Sequence, residues 1–206
     1  MKRSIPLLCA LLALLCILPA ASLAENLVMG DIDGEVIDLG AFSLTIGKGD
    51  ICEVKTEERI VGEPWKFFYP SYDYEATLHS NMNVIWTDKG VLTDIPDDTD
   101  GLQLFAQSTA EGMVTEAGKL GIPCTIVSAT AKDNIIINGI EFRAIEHVLD
   151  WDYTQYTQGR VGTVRTTNLQ LFTNLADGGY IITLTTYTDE DVELLMNLLS
   201  TIAPNC

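Results

Sequence analysis

The second half of the chain carries two turn signals, each flanked by runs of strand-forming residues. The Asn-Gly pair at 138–139 precedes the apolar run 140–151, and the Asp-Gly-Gly sequence at 177–179 separates residues 163–174 from 180–187. Asn-Gly between apolar runs favours a two-residue hairpin, because both residues tolerate the positive φ of a type I′ turn. The flanking runs are rich in Val, Ile, Thr and Tyr, which favour strands. The pattern therefore predicts antiparallel hairpins and a sheet built from strands adjacent in sequence.

Shorter strand signals lie outside these hairpins. Residues 36–39 and 42–46 are apolar stretches separated by Gly-Ala, and a glycine-containing turn leads into residues 51–56. Residues 77–87 alternate enough between apolar and polar side chains to predict a half-buried strand. The aromatic segment before that strand is expected to be irregular. Further strands are predicted at 125–131 and 135–137.

Two segments have helical periodicity. Small and apolar residues recur on one helical face at about 101–120, where Thr99 or Asp100 can cap the first turn. A second helix is predicted at about 189–203, with Thr188 as its cap. Two helices among many antiparallel strands indicate an α+β domain, in which the helices cover a central antiparallel sheet. The predicted apolar faces are Leu102, Phe105, Thr109, Met113, Ala117 and Leu120 in the first helix, and Val192, Leu195, Met196, Leu199 and Ile202 in the second.

Three stretches give the chain a resemblance to a known fold group. They are the helix at 102–121, the turn and strand NGIEFRA at 138–144, and DGGYIITLTT at 177–186 before the last helix. In the order of its elements, the segment 35–203 resembles the PsbP-like fold group, an α-β-α sandwich of photosystem-associated subunits and small exported bacterial proteins. The resemblance implies that fold and a binding or assembly role. It implies no site residues, because no site motif of the group matches.

The first 24 residues have the features of a secretory signal peptide. Two basic residues precede an apolar run over about 5–18, and the small residues Ser22 and Ala24 suit a signal-peptidase cleavage site. That run is short for a membrane span, and no later apolar stretch approaches ~20 residues. We therefore expect cleavage after residue 24 and a single mature domain at 25–206. We also expect no membrane insertion after cleavage, and a secreted or extracytoplasmic location in the cell envelope.

Charge and motifs exclude several classes of function. The chain has 29 Asp and Glu against 12 Lys and Arg, a formal net charge of −17, so we expect no nucleic-acid partner. Phosphate-binding loops, the G-x-S-x-G elbow and paired metal-binding histidines do not occur in the sequence. The acidic runs at 31–34 and 94–101 lack the spacing of a calcium-binding loop. We expect no cofactor, no metal site and no catalytic residues.

The cysteines that follow the signal peptide are Cys52, Cys124 and Cys206. Cys52 and Cys124 each lie beside apolar residues, which suits either a buried disulfide between them or two buried thiols. Three cysteines allow one intrachain bridge at most in a compartment that permits disulfides. Cys206, as the last residue, is expected to be free.

Two segments concentrate aromatic residues. Residues 63–74 hold six of them between turn-forming prolines, and residues 150–158 combine aromatic with polar side chains. If these rings are exposed and adjacent, they form a stacking surface for a sugar, a peptide or an apolar partner. The alternative is that the rings belong to the core or line its margin. The candidate ligand-binding surface consists of Trp65, Tyr69, Tyr72, Tyr74, Trp151, Tyr153 and Tyr156.

These observations favour a noncatalytic binding or assembly domain with an unidentified protein, peptide or glycan as its partner. The alternatives are an extracytoplasmic hydrolase that uses a cysteine or a carboxylate, and a purely structural module of the envelope. A hydrolase requires Cys52, Cys124 or paired carboxylates to share a cleft with His79 or His147. Binding requires only an exposed, contiguous surface.

Overall fold

The computed structural model describes residues 27–30, 34–55, 58–70, 78–155 and 162–205. The described chain contains two α-helices, α1 (Thr99–Lys119) and α2 (Asp189–Ser200), and a 3-10 helix at Val91–Asp94. The strands are β1 (Leu27–Met29), β2 (Glu35–Asp38), β3 (Phe42–Ile46), β4 (Ile51–Val54), β5 (Pro64–Tyr69), β6 (Asn81–Thr87), β7 (Cys124–Ile137), β8 (Ile140–Asp152), β9 (Thr163–Leu175), β10 (Gly178–Thr186) and β11 (Ala203–Pro204).

The strands form one large and one small antiparallel sheet. The large sheet has the order β1-β4-β5-β6-β10-β9-β8-β7, and the small sheet has the order β11-β3-β2. Strands β7 to β10 pair with their neighbours in sequence, as two tight hairpins and one longer connection allow. The predicted fold class is confirmed: two main helices accompany a central antiparallel sheet in an α+β arrangement.

Successive strand residues point to opposite faces of the large sheet, and each face has its own cover. Helix α1 covers one face, and helix α2 with the small sheet covers the other. The α1 side contains Leu102, Phe105, Ile145, Phe172 and Ile181; the α2 side contains Phe42, Leu44, Phe142, Leu171, Ile182, Leu195 and Leu199. Neither described helix combines the length and apolar character that a membrane crossing requires.

The turn chemistry places the hairpins as the sequence predicts. Asn138 and Gly139 have φ values of 47° and 85°, the two positive values that a type I′ turn requires. β7 is continuous from residue 124 to 137, whereas two separate strands were predicted there. The register of β7 with β8 shifts at two places. Pairing continues beyond each shift, so the alternation of side chains between the two faces is interrupted without ending the strand.

The helix ends follow ordinary capping rules. Thr188 caps α2 as predicted, because its hydroxyl oxygen accepts a hydrogen bond from the Asp191 N–H at 3.2 Å. In α1 the cap is Asp98 and neither of the two predicted residues, Thr99 and Asp100; its carboxylate accepts from the Gly101 N–H at 2.7 Å. Leu120, which was predicted to lie on the buried face, is 50% exposed because α1 ends at residue 119.

The first aromatic segment is a strand rather than irregular chain. Pro64 occupies the first position of β5, where a missing N–H costs little ladder hydrogen bonding. Residues of this strand then pair with β4 on one side and β6 on the other. The aromatic side chains of β5 consequently enter the interior of the molecule.

Cys52 and Cys124 are free thiols that lie far apart in the large sheet. Cys52 lies on β4, and Cys124 begins β7 at the opposite edge. Six strand spacings of about 4.8 Å separate these strands, on the order of 29 Å. A disulfide needs Cα atoms within about 7 Å, so the expected alternative of a Cys52–Cys124 bridge is wrong. Cys206 lies outside the described residues.

One side chain of α1 hydrogen-bonds to the outward-facing backbone groups at the centre of the edge strand β7. The Gln103 amide of α1 donates to the Ala129 carbonyl at 2.8 Å and accepts from the Ala131 N–H at 2.9 Å. These are backbone groups that β8 does not use. Gln103 thus occupies the position that the backbone of an added strand would take, a common way to protect a sheet edge.

Replacing Gln103 with leucine is expected to promote self-association through β7, because two backbone groups lose their partners while the helix keeps its shape. The expected change is a roughly tenfold lower concentration for half-association, measured by sedimentation. Gln107→Leu is the matched control, since Gln107 is exposed on the same helix. A Gln103→Leu protein that sediments like Gln107→Leu would contradict this role.

Candidate ligand groove

A hollow of about 520 Å³ lies at the end of the sheet where β8 begins and β9 ends. Antiparallel pairing brings these strand ends together, so the two hairpin turns flank the hollow. Polar side chains and a short apolar floor line it. The lining residues are Asp97, Asn134, Gly139, Ile140, Glu141, Arg143, Phe172, Thr173, Asn174 and Leu175.

A second hollow of about 420 Å³ adjoins the first. Its lining residues are Gly40, Ala41, Arg59, Ile140, Leu175, Ala176, Asp177, Pro204 and Asn205. Ile140 and Leu175 line both hollows, so the two adjoin at these residues, with Arg143 in the lining of the first and Arg59 in the lining of the second. We call the two adjoining hollows together the groove.

At one end of the groove, Arg59 lies over two indole rings. Its guanidinium carbon lies 5.6 Å from the Trp65 ring centroid and 5.1 Å from that of Trp86. Its Nη1 donates to the Asp177 carboxylate at 2.5 Å and to the Tyr180 hydroxyl at 3.0 Å. Cation–π contacts and a charge-assisted hydrogen bond together fix the guanidinium in one orientation.

The groups around Arg59 are themselves coupled. The Tyr180 hydroxyl donates to Asp177 at 2.7 Å and accepts from the Ala41 N–H at 3.1 Å. Burial raises the pKa of Tyr180 to about 12, so its proton stays in place. Burial acts to raise the pKa of Asp177 as well, but hydrogen bonds from Tyr180 and Arg59 outweigh it and lower that pKa overall. The cluster is therefore an ionised carboxylate and a guanidinium with fixed partners.

Arg143 anchors the other end of the groove. Its guanidinium donates to the Leu92 carbonyl at 3.1 Å, to the Ile95 carbonyl, and to the Asp97 carboxylate at 2.8 Å. These bonds fasten the 3-10 helix and the segment that follows it to β8 of the large sheet. Nearby, the Asn134 amide donates to Glu141 at 2.7 Å. Both ends of the groove thus present polar groups whose positions are set by the fold.

The groove can bind a ligand by hydrogen bonds and apolar contact. Its walls offer asparagine amides, carboxylates and guanidinium groups, and its floor offers Ile140 and Leu175. Guanidinium and amide groups in fixed orientations discriminate among ligands by geometry. An open polar surface with an apolar floor is typical of a site for a polar ligand that also carries an apolar group.

The described aromatic residues of the predicted ligand surface are buried. Trp65 and Tyr69 are 7% and 6% exposed, and Trp151 and Tyr153 are fully buried. They belong to three separate parts of the core, Trp65 on the α2 side, Tyr69 beside Phe67, and the stacked pair Trp151–Tyr153 under α1. These four rings do not form the exposed surface expected from the sequence, because packing on the sheet removes their large apolar area from water. Tyr72, Tyr74 and Tyr156 lie outside the described residues.

The groups considered for catalysis do not come together within the described chain. Burial raises the pKa values of Cys52 and Cys124 to about 12, which disfavours the thiolate that a nucleophile requires. His147 is fully buried between α1 and the sheet, where its Nε2 lies 3.1 Å from the Ala106 carbonyl. His79 lies against the Tyr69 ring instead. Among the residues that the structure describes, no three His, Cys, Asp or Glu side chains gather as metal ligands would.

Sequence reasoning missed the residues that line the groove. Two signals were available, since Arg143 is the single Lys or Arg in a strand that carries four Asp and Glu residues, and Asp177 adjoins a Gly-Gly turn. Arg59 gave no signal, because its partners Trp65, Trp86 and Asp177 come from different strands and turns. Side chains brought together across the fold leave no periodic trace in the sequence.

Comparison with solved structures finds proteins whose chains follow a similar course. A cyanobacterial PsbP (CyanoP) from Synechocystis sp. PCC 6803 is similar over 84% of this chain and 93% of its own, at 14% identity and a TM-score of 0.49. LpqN, described as involved in cell envelope biogenesis of Mycobacterium tuberculosis, is similar over 88% of this chain and 91% of its own, at 10% identity and a TM-score of 0.42.

A protein of unknown function from Pseudomonas aeruginosa, described as a putative regulator, is similar over 84% of this chain and 99% of its own, at 17% identity and a TM-score of 0.37. The matches thus include a PsbP protein, from the group that the sequence resembles. At these identities the likeness concerns the course of the chain alone. No protein-family model and no curated protein matches this chain.

Proposed function

We propose that this protein is an exported, noncatalytic binding protein whose ligand occupies the groove. One observation carries the proposal: two adjoining hollows share the apolar lining residues Ile140 and Leu175, and the arginine in each hollow is fixed by its own partners. Groups that are already oriented lose little conformational entropy when a ligand binds. Rigid donors of this kind favour selective binding of a polar ligand.

The chemistry of the thiols and histidines supports binding over hydrolysis. Cys52 and Cys124 have pKa values raised to about 12 by burial, and neither cysteine lines the groove. His147 is buried with its ring directed at the α1 backbone. A cysteine hydrolase needs a reactive thiolate within hydrogen-bond reach of a base.

Export is supported by the sequence of the first 24 residues. A basic start, an apolar run of about 14 residues and small residues before Glu25 are what a secretory peptidase recognises. The acidic composition favours solubility of the mature protein, because its carboxylates repel one another. The groove would then meet ligands of the envelope or the medium.

The test is ligand mapping by nuclear magnetic resonance on protein purified from the secreted fraction, with an N-terminus at Glu25 checked by mass. Fragments would include amino-acid amides, short peptides and small saccharides. We expect a subset to shift the amide signals at the start of β8 and the end of β9. Asn174→Trp, which fills the larger hollow, should weaken that binding by roughly tenfold or more.

Asn197→Trp is the matched control, since Asn197 is exposed on α2 and does not line the groove. Its binding should equal that of the unaltered protein. Shifts that lie elsewhere, or binding that persists in Asn174→Trp, would exclude the groove as the ligand site. An absence of any shift across the fragment set would contradict the binding function itself.

A further inference from the structure

We infer that the ligand of the groove is an extended peptide segment with a basic side chain, an assignment that rests on the proposed function. Three properties of the lining lead to it: the kind of polar groups, the charge balance and the state of the nearby indole rings. Each is set by contacts among the described residues.

The polar groups match those of a peptide backbone. Asn134, Asn174 and Asn205 line the groove along its length. A primary amide carries both a carbonyl acceptor and N–H donors, as a peptide unit does, so the two can pair in both directions. Asn205 is held in place, because its amide donates to Asp38 at 2.9 Å and to the Gly40 carbonyl at 2.7 Å. Its remaining acceptor suits a backbone N–H.

The charge balance of the lining favours a cation. Asp177 compensates Arg59, and Asp97 compensates Arg143. Glu141 also lines the groove, and its described hydrogen-bond partner is the neutral amide of Asn134. None of the ion pairs found in the described part of the chain includes Glu141. A lysine or arginine of the ligand would supply the missing positive charge.

The apolar floor and the indole rings favour a peptide over a sugar. Ile140, Leu175 and Pro204 offer contact to an aliphatic side chain next to the basic one. Sugars are commonly held by stacking on an exposed aromatic face. The indole rings nearest the groove, Trp65 and Trp86, stack on Arg59 instead. An extended peptide with neighbouring aliphatic and basic residues satisfies all three properties.

The test uses two fluorescein-labelled nonapeptide pools, identical except for a central Leu-Lys or Leu-Glu pair, with maltotriose as a saccharide comparison. Binding to the mature protein is followed by fluorescence anisotropy at low and high salt. We expect the lysine pool to bind about fivefold more tightly at low salt, as one partly exposed charge pair allows, and the difference to shrink at high salt.

Glu141→Gln should remove the preference for the lysine pool while leaving the fold intact, because Glu141 is exposed. Glu111→Gln is the matched control, since Glu111 is an exposed carboxylate on α1 outside the groove. Equal binding of both pools, or a lysine preference that survives in Glu141→Gln, would overturn the assignment.

The result also separates this assignment from the proposed function. If neither pool binds but maltotriose or another fragment still shifts the groove signals, the peptide assignment fails and the binding function stands. If nothing binds in the groove, both fail. Binding of both pools that Asn174→Trp does not weaken would place peptide recognition outside the groove and overturn the assignment as well.

Discussion

Replacing His147 with glutamine or leucine is expected to abolish a loss of stability that the unaltered protein suffers between about pH 6.5 and pH 4. His147 is fully buried, and burial lowers its pKa to about 4, although the Ala106 carbonyl acts weakly in the opposite direction. Since that carbonyl can only accept, Nε2 carries the proton, and Nδ1 has no hydrogen-bond partner among the residues that the structure describes. The neutral ring is therefore the folded form.

The direction in which the free energy of unfolding changes with pH follows from proton uptake. Below its ordinary pKa of about 6.5 the histidine of the unfolded chain is protonated, while in the folded protein it stays neutral until about pH 4. The unfolded state binds more protons in this window, so the free energy of unfolding falls as the pH falls. A shift of this size corresponds to about 3 kcal/mol between the two limits.

The measurement is urea unfolding from pH 4 to pH 7.5, expressed as the difference between each variant and the unaltered protein. That difference should change with pH by about 3 kcal/mol for both His147 variants, whatever the carboxylates contribute, because they are common to all the proteins. His79→Gln is the control, since the partly exposed His79 packs on Tyr69 and leaves His147 in place. Parallel curves for His147→Gln, His147→Leu and the unaltered protein would refute the buried neutral histidine.

Gly40→Ala is expected to cost about 3 kcal/mol of folding stability, against about 1 kcal/mol for Gly49→Ala. The two glycines have nearly the same backbone conformation, with φ values of 87° and 89°. A Cβ at Gly49 meets nothing within 4 Å, whereas one at Gly40 would lie 2.5 Å from Arg59 Nη1 and 2.8 Å from the Tyr180 hydroxyl. The pair therefore separates backbone strain from displacement of the Arg59 cluster.

Denaturant unfolding measures the two costs, and near-ultraviolet circular dichroism reports the surroundings of the tryptophans. We expect Gly40→Ala alone to change the tryptophan spectrum, because Arg59 must move relative to the Trp65 and Trp86 rings. Groove binding should weaken in the same variant. Equal stability and equal spectra for Gly40→Ala and Gly49→Ala would mean that the cluster is not held as tightly as its distances indicate.

The parts of the fold that could be predicted from sequence are those that local chemistry determines. The Asn138-Gly139 turn and the Thr188 cap depend on residues within a few positions of each other, so their signals are complete in the sequence. The position of β5 could not be obtained in this way. Its burial depends on pairing with β4 and β6, which a short aromatic run does not reveal.

The groove was beyond sequence reasoning for a similar reason. Arg59 and Asp177 are 118 residues apart, and the order of strands in the sheet decides that they meet. The predicted aromatic surface illustrates the converse error. Residue type alone suggested exposed rings, whereas Trp65 became a support for Arg59 and Trp151 bonds through its indole N–H to Thr166 at 2.9 Å. Composition marks candidates, and topology assigns their roles.

Because Gln103 belongs to α1, the β7 edge of the sheet is protected only while α1 is packed against it. Gln103 reaches β7 only while α1 lies on the sheet, and His147 beneath that helix contacts the Ala106 carbonyl one turn further along. Acid that charges His147 would loosen α1 and withdraw Gln103 in the same event. A strand of 14 residues, with Ile126, Val127 and Ile136 already exposed, would then offer its backbone to other molecules. At low pH this protein would therefore associate edge to edge through β7 before it unfolded.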